Sequence, residues 1–175
     1  HCKCSYAGQG RGHCGRAPRC QTDYQGRISG PFIDRIDLQV DVPPVTAADL
    51  ALPAPAEGTR EVAARVAAAR AVQAERAARL ELAGDGLNAR LEGDALERAC
   101  AMDGPAKALL TKAAEQAGMT ARGWTRVLRL ARTIADLEGA DAVKRLHVAE
   151  ALIYRRTGQD GMGMAAASPI AALSS

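Results

Sequence analysis

A chain of 175 residues with 47% hydrophobic side chains can build one ordinary domain, or part of one with a small second domain. Only 3% of residues are aromatic and much of the apolar content is alanine, which favours thin-cored helical bundles over β-sandwiches. A formal net charge of +3 permits contact with nucleic acid or nucleotide phosphate and requires neither. No run approaches the ~20 apolar residues of a membrane span. No signal peptide is visible, which is uninformative if the N-terminus is missing; a cytoplasmic protein is the expectation.

Residues 1–20 are rich in Gly, Cys and Arg, show little hydrophobic periodicity, and read as a loop that needs a staple. Cys2, Cys4, Cys14 and Cys20 supply four thiolates, the number a closed tetrahedral zinc site takes, with His1 and His13 as substitute ligands. The Cys-x-Cys pair is a poor disulfide loop and a reasonable metal chelate. Two disulfides, or plain thiols, are the rival readings. A closed Cys4 site leaves no position for water, so its Zn2+ would be structural.

Thr22 to Ile28 reads as a short helix capped by Thr22 and broken by Ser29-Gly30-Pro31. Next comes Arg35, set between Asp34 and Asp37. Ile36, Leu38, Val40 and Val42 alternate with polar residues up to Pro43-Pro44, the pattern of a strand with a buried face. A single strand does not stand alone. Its partners are therefore expected in sequence upstream of His1, and the chain is expected to be the C-terminal part of a longer protein. Arg35 has two readings. One is a structural ion pair with Asp34 or Asp37. The other is a planar, permanently charged group presented to a phosphate of a neighbouring subunit.

The organisation that follows is an N-terminal segment at 1–45, a linker at 46–58 in which Thr46 caps a single turn, a helical region at 59–156, and a Gly/Ala/Ser/Met-rich tail at 157–175 expected to be disordered. The first long helix runs from Thr59, its expected N-cap, to about Leu82, and stops at Gly84-Asp85-Gly86. A second covers about Leu91 to Met102, and Cys100 on it reads as a small buried hydrophobe. A third follows Gly104-Pro105, with proline in the first turn, and ends near Gly118. A fourth starts after Thr120 and ends at Glu138-Gly139; a fifth covers about Asp141 to Arg156.

The fourth helix carries two opposed stripes. Trp124, Val127, Leu128, Ala131, Ile134 and Ala135 form a core face, with Trp124 a packing anchor in preference to a stacking platform. Arg122, Arg126, Arg129 and Thr133 share the other face, with Arg132 nearby. That stripe reads either as a solvated surface or as a place where Arg122, in the first turn, meets an anion beside the helix start. His147 reads as a cap or core-edge residue before a catalytic base. The chain holds no Gly-x-x-x-x-Gly-Lys-Ser/Thr loop and no Ser-His-Asp or paired-carboxylate arrangement.

These segments resemble the C-terminal portion of the YifB/ComM family, magnesium-chelatase-like AAA+ ATPases of bacteria. The likeness is carried by Cys2-Lys3-Cys4, Cys14, Cys20, the run Tyr24 to Leu38, the run Thr120 to Gly139, and His147 to Arg155. It implies a mainly α chain: a helical AAA+ lid bundle at 59–156, preceded by the last strand and a cysteine-rich insertion of a truncated α/β ATPase core. Arg35 would be the arginine finger that reaches the ATP of the adjacent subunit. Arg122 would be the lid's sensor-2 arginine on the γ-phosphate. The family's Asn-Pro-Cys has its proline position taken here by His1, and its sensor-1 asparagine would precede it. ATP and Mg2+ would be bound in an intact parent assembled as a homo-oligomeric ring, hexameric by AAA+ analogy. The parent would act on DNA, as ComM-like members do in branch migration during natural transformation, and not at a membrane. Two alternatives stay open: a chelatase-type motor, and a non-enzymatic zinc-stapled module whose arginines grip DNA.

Overall fold

The computed structural model describes Arg19, Asp23, Gly26, Arg27 and residues 29–33, 35–40, 42, 45–53, 56–82 and 84–155. The four clustered cysteines, His1, His13, most of the Thr22–Ile28 segment, Asp34 and the 157–175 tail lie outside the described residues. Among the described residues, the α-helices with described bounds are, in order, α1 Gly30–Ile33, α2 Ala47–Leu50, α3 Thr59–Arg79, α4 Gly93–Ala99, α5 Gly104–Ala117, α6 Ala121–Leu137 and α7 Arg145–Ile153. A 3-10 turn at Asn88–Arg90 joins α3 to α4.

The caps explain most boundaries. Thr46 accepts from the Asp49 amide while Asp49 accepts from the Thr46 amide, so α2 is the single capped turn that the sequence predicts. The α5 helix starts from Asp103, whose carboxylate accepts from the Ala106 amide at 2.7 Å; Pro105 follows in the first turn, and Gly118 ends the helix in the left-handed region. Thr120 accepts from the Gly123 amide at 3.0 Å and starts α6. At α3 the cap differs from expectation. Gly58, not Thr59, is the N-cap residue, and Glu61 reaches back to accept from its amide at 3.1 Å. At the far end of α3, Gly86 lies so close that an added Cβ would fall 2.4 Å from the Ala77 Cβ, at a φ of +69°. Only glycine lets the chain double back there.

The core sits between α4, α5, α6 and α7. Leu91, Leu96, Cys100, Leu110, Val127, Leu128, Val143 and Val148 are buried together with Ala99, Ala106, Ala131, Ala135 and Ala151. The alanines keep the helices close and the core thin, as the composition predicts. Each fully buried Leu or Val side chain contributes roughly 1.5–3 kcal/mol. The sequence-predicted apolar face of α6 is this core face, and Trp124 packs against it partly buried. Cys100 is buried as expected, its Sγ 3.7 Å from the Leu128 carbonyl oxygen. Burial pushes its thiol up to about 12, so it stays protonated at neutral pH.

Two helices are shorter than expected because neighbouring residues have other partners. Met102 and Val143 form an isolated parallel bridge, with the Val143 amide donating to Ala101 and the Asp103 amide to Val143. The bridge ends α4 early and delays α7 to Arg145. The strand expected at 36–42 is absent from the described residues. Residues 36–40 carry no strand ladder, and their one backbone bond to the bundle is from the Gln39 amide to the Tyr154 carbonyl at 2.9 Å. Ile36, Leu38, Val40 and Val42 are exposed, not buried. The alternating pattern needs a neighbouring strand to be satisfied, and the described residues offer only a helix end. Ser29-Gly30-Pro31 likewise does not simply break structure: Gly30 and Pro31 open the single turn α1.

Candidate nucleotide-responsive cleft

The α6 helix brings three of its arginines to one cleft of about 330 Å³, lined by Glu92, Gly93, Arg122, Thr125, Arg126 and Arg129. Their spacing of 4 and 3 residues puts them on adjacent turns of one helix face. Arg122 is exposed and has no ion-pair partner among the described residues. Arg129 is committed to the wall: its Nε donates to the Leu91 carbonyl at 2.9 Å and its guanidinium pairs with Glu92 at 3.3 Å. Arg126 forms an ion pair with Asp37, which crosses from the segment after α1. Its side chain is only 16% exposed, and its buried Nε has no acceptor among the described residues.

The arginine stripe is therefore not the solvated face that one reading expects. Arg126 and Arg129 are largely covered, and Arg132 is 1% exposed in the interior. Arg132 donates through Nε to Asp136 at 3.0 Å and through the guanidinium to the Ala140 and Asp141 carbonyls, closing the end of α6. Arg76 of α3 also pairs with Asp136. Asn88 donates to Asp136 at 2.7 Å and to Thr133 at 3.1 Å, and accepts from Arg76 at 3.2 Å. Burial lowers the Arg132 pKa, opposed by the Asp136 charge. This network ties α3 and the 3-10 turn to the C-terminal half of α6.

Arg35 is exposed and does not line the cleft among the described residues. The proposed pairing of Arg35 with Asp37 is not made, since Asp37 is held by Arg126. His147 is a capping residue, as expected: its Nδ1 accepts from the Lys144 amide at 2.9 Å, and its Nε2 lies 2.8 Å from Glu138. Arg122, which the sequence singles out, lines the cleft; Arg76, Asn88 and Asp136 were not singled out. The only local signal was the four-residue spacing of Arg132 and Asp136. No helix among the described residues is long and apolar enough to cross a membrane, and no described group of His, Cys, Asp and Glu could hold a metal ion.

The helical bundle coincides with a defined class of domain: the family described as magnesium chelatase, subunit ChlI C-terminal, matches residues 56–155, and the chain belongs to it. The chain is thus an AAA+ family member of the YifB/ComM type. The magnesium chelatase subunit ChlI family also matches residues 1–50. Competence protein ComM of Haemophilus influenzae is 35% identical over 144 residues, covering 82% of this chain and 27% of that protein. YifB of Salmonella typhimurium is 37% identical over 141 residues, covering 75% of this chain and 25% of its own length. The chain spans about a quarter of the length of these curated relatives.

Proposed function

We propose that the chain forms the nucleotide-responsive lid and the arginine-finger segment of an AAA+ ATPase that couples ATP hydrolysis to DNA remodelling of the helicase or branch-migration kind. The observation that carries this reading is Arg122, an exposed guanidinium without an ion-pair partner among the described residues, on a cleft it shares with Arg126 and Arg129. Such a group suits the spread charge of a phosphate. Arg122 then senses the γ-phosphate. Arg35, exposed beside α1, reaches the ATP of the next subunit in a homo-oligomeric ring, hexameric by AAA+ analogy. The chain has no phosphate-binding Gly-Lys-Ser/Thr loop, so ATP and Mg2+ would be held mainly by residues outside it. The DNA assignment follows from the resemblance to ComM-like members, of which the competence protein is one relative.

ATP turnover by the assembled ATPase, with and without DNA, tests this reading. DNA should raise turnover. Arg122→Ala should weaken the nucleotide response roughly 10- to 100-fold, the loss of one or two charge-assisted hydrogen bonds. Turnover indifferent to DNA and driven by a porphyrin would favour a chelatase-type motor, the activity for which the matched family is named. Salt-sensitive DNA binding with no turnover at all would leave a binding module.

The chemistry of the donor set also supports a structural Zn2+ on Cys2, Cys4, Cys14 and Cys20. Metal analysis should find about one zinc per chain, removed by a chelator and lost in Cys2→Ser with Cys4→Ser. A metal-free chain with reactive thiols would refute the site.

A further inference from the structure

We propose that Arg126 is a second phosphate ligand of the cleft, and that Asp37 occupies its guanidinium as an internal stand-in anion until a ligand phosphate displaces it. The inference rests on the reading of the cleft as phosphate-responsive and adds to it both a ligand and a competitor.

Three observations converge on Arg126. It lines the cleft one turn beyond Arg122, so a single polyphosphate could meet both guanidiniums. Its bonding is incomplete: one arm is paired with Asp37, while Nε is buried with no acceptor among the described residues. An unmet buried donor is a standing cost that a better acceptor removes. Its neighbour Arg129 is the contrast, with Nε and guanidinium both committed to Leu91 and Glu92.

Asp37 has the properties of a displaceable anion. It carries one charge, its side chain is 63% exposed, and release returns it to water at little cost. A triphosphate carries several charges and offers planar guanidiniums more than one acceptor oxygen each. Turning Arg126 from Asp37 toward such a ligand would also give Nε an acceptor. Asp37 stands two residues after Arg35, and among the described residues the segment's one backbone tie to the bundle is the Gln39–Tyr154 bond. Filling the cleft therefore loosens the stretch that carries Arg35 and makes the exposed cation easier to deliver.

Isothermal titration of inorganic tripolyphosphate into the 175-residue chain at fixed ionic strength tests the exchange. Wild type should bind. Asp37→Asn, a change at an exposed position, should tighten binding about 2- to 5-fold by removing the competitor. Arg126→Ala should weaken it about 10-fold or more, with Arg126→Lys intermediate because the charge stays and the fork is lost. Failure of wild type to bind, or an Asp37→Asn variant that binds equally or more weakly, overturns the proposal. The latter outcome would make the ion pair a fixed brace. Tripolyphosphate has no adenine and is not turned over. If it behaves as expected while Arg122→Ala leaves ATP turnover unchanged, the anion exchange stands and the nucleotide reading falls.

Discussion

Arg35→Ala is expected to lower ATP turnover by about 10³-fold or more in an assembled ATPase containing this chain, while nucleotide affinity stays near wild type. The reasoning is electrostatic. A phosphoryl-transfer transition state spreads charge over its equatorial oxygens, and a guanidinium brought to it from outside the site stabilises that state far more than bound ATP. Arg35 is exposed and Asp37 is already engaged by Arg126, so no described carboxylate neutralises it within the chain. The trans geometry has its own check. Subunits carrying Arg35→Ala, mixed with subunits whose phosphate-binding loop is disabled, should recover turnover, because each supplies what the other lacks. Turnover that survives Arg35→Ala would return this residue to a surface role. Loss without recovery on mixing would place it in its own subunit's site.

The second large effect is on stability. Asp136→Asn is expected to destabilise the bundle by about 3–5 kcal/mol, the cost of leaving buried charge uncompensated. Asp136 is buried and is the shared carboxylate for Arg76 and Arg132, with Asn88 as a third donor. An amide keeps the shape but removes the charge and turns one acceptor into a donor facing donors. Against a total domain stability of about 5–15 kcal/mol, a loss of that size is a large fraction. Urea unfolding followed by circular dichroism measures this directly. Asp37→Asn is the contrast, since breaking an ion pair with an exposed partner should cost no more than about 1 kcal/mol. An Asp136→Asn loss below about 1 kcal/mol would show that the two guanidiniums are screened by other means.

What was legible from sequence alone follows from how local each signal is. The α5 and α6 helices announce themselves through Pro105, Gly118 and Thr120, whose effects act within one turn. The apolar face of α6 is legible because its period is that of the helix. The Glu61 cap of α3 was hidden because Gly58 has no side chain to advertise it and Thr59 is the stronger textual cue. The burial of Arg132 and Arg76 was hidden for a different reason. Helical spacing says which residues share a face, but not which of two faces meets another helix, and Arg76 and Asp136 are 60 residues apart. Asp37 and Arg126, separated by 89 residues, were unreadable on the same ground. The expected strand failed because alternation only states a preference for a partner strand, and the described residues supply none. The cysteine cluster, legible as a donor set, lies outside the described residues.

The shape of α3 has a mechanical consequence. Its buried residues, Ala69, Gln73, Arg76 and Ala77, lie at or beyond its midpoint, and residues 59–68 are exposed. At 1.5 Å per residue those ten residues form a free arm about 15 Å long, so a pivot of about 10° at Ala69 would swing the tip by about 3 Å. The alanine-rich sequence and the Glu61 cap keep the arm stiff without packing. The Arg76–Asp136 clamp lies just behind that pivot. A small tilt of α6 on filling the cleft would thus be geared up along α3 to its N-terminal end.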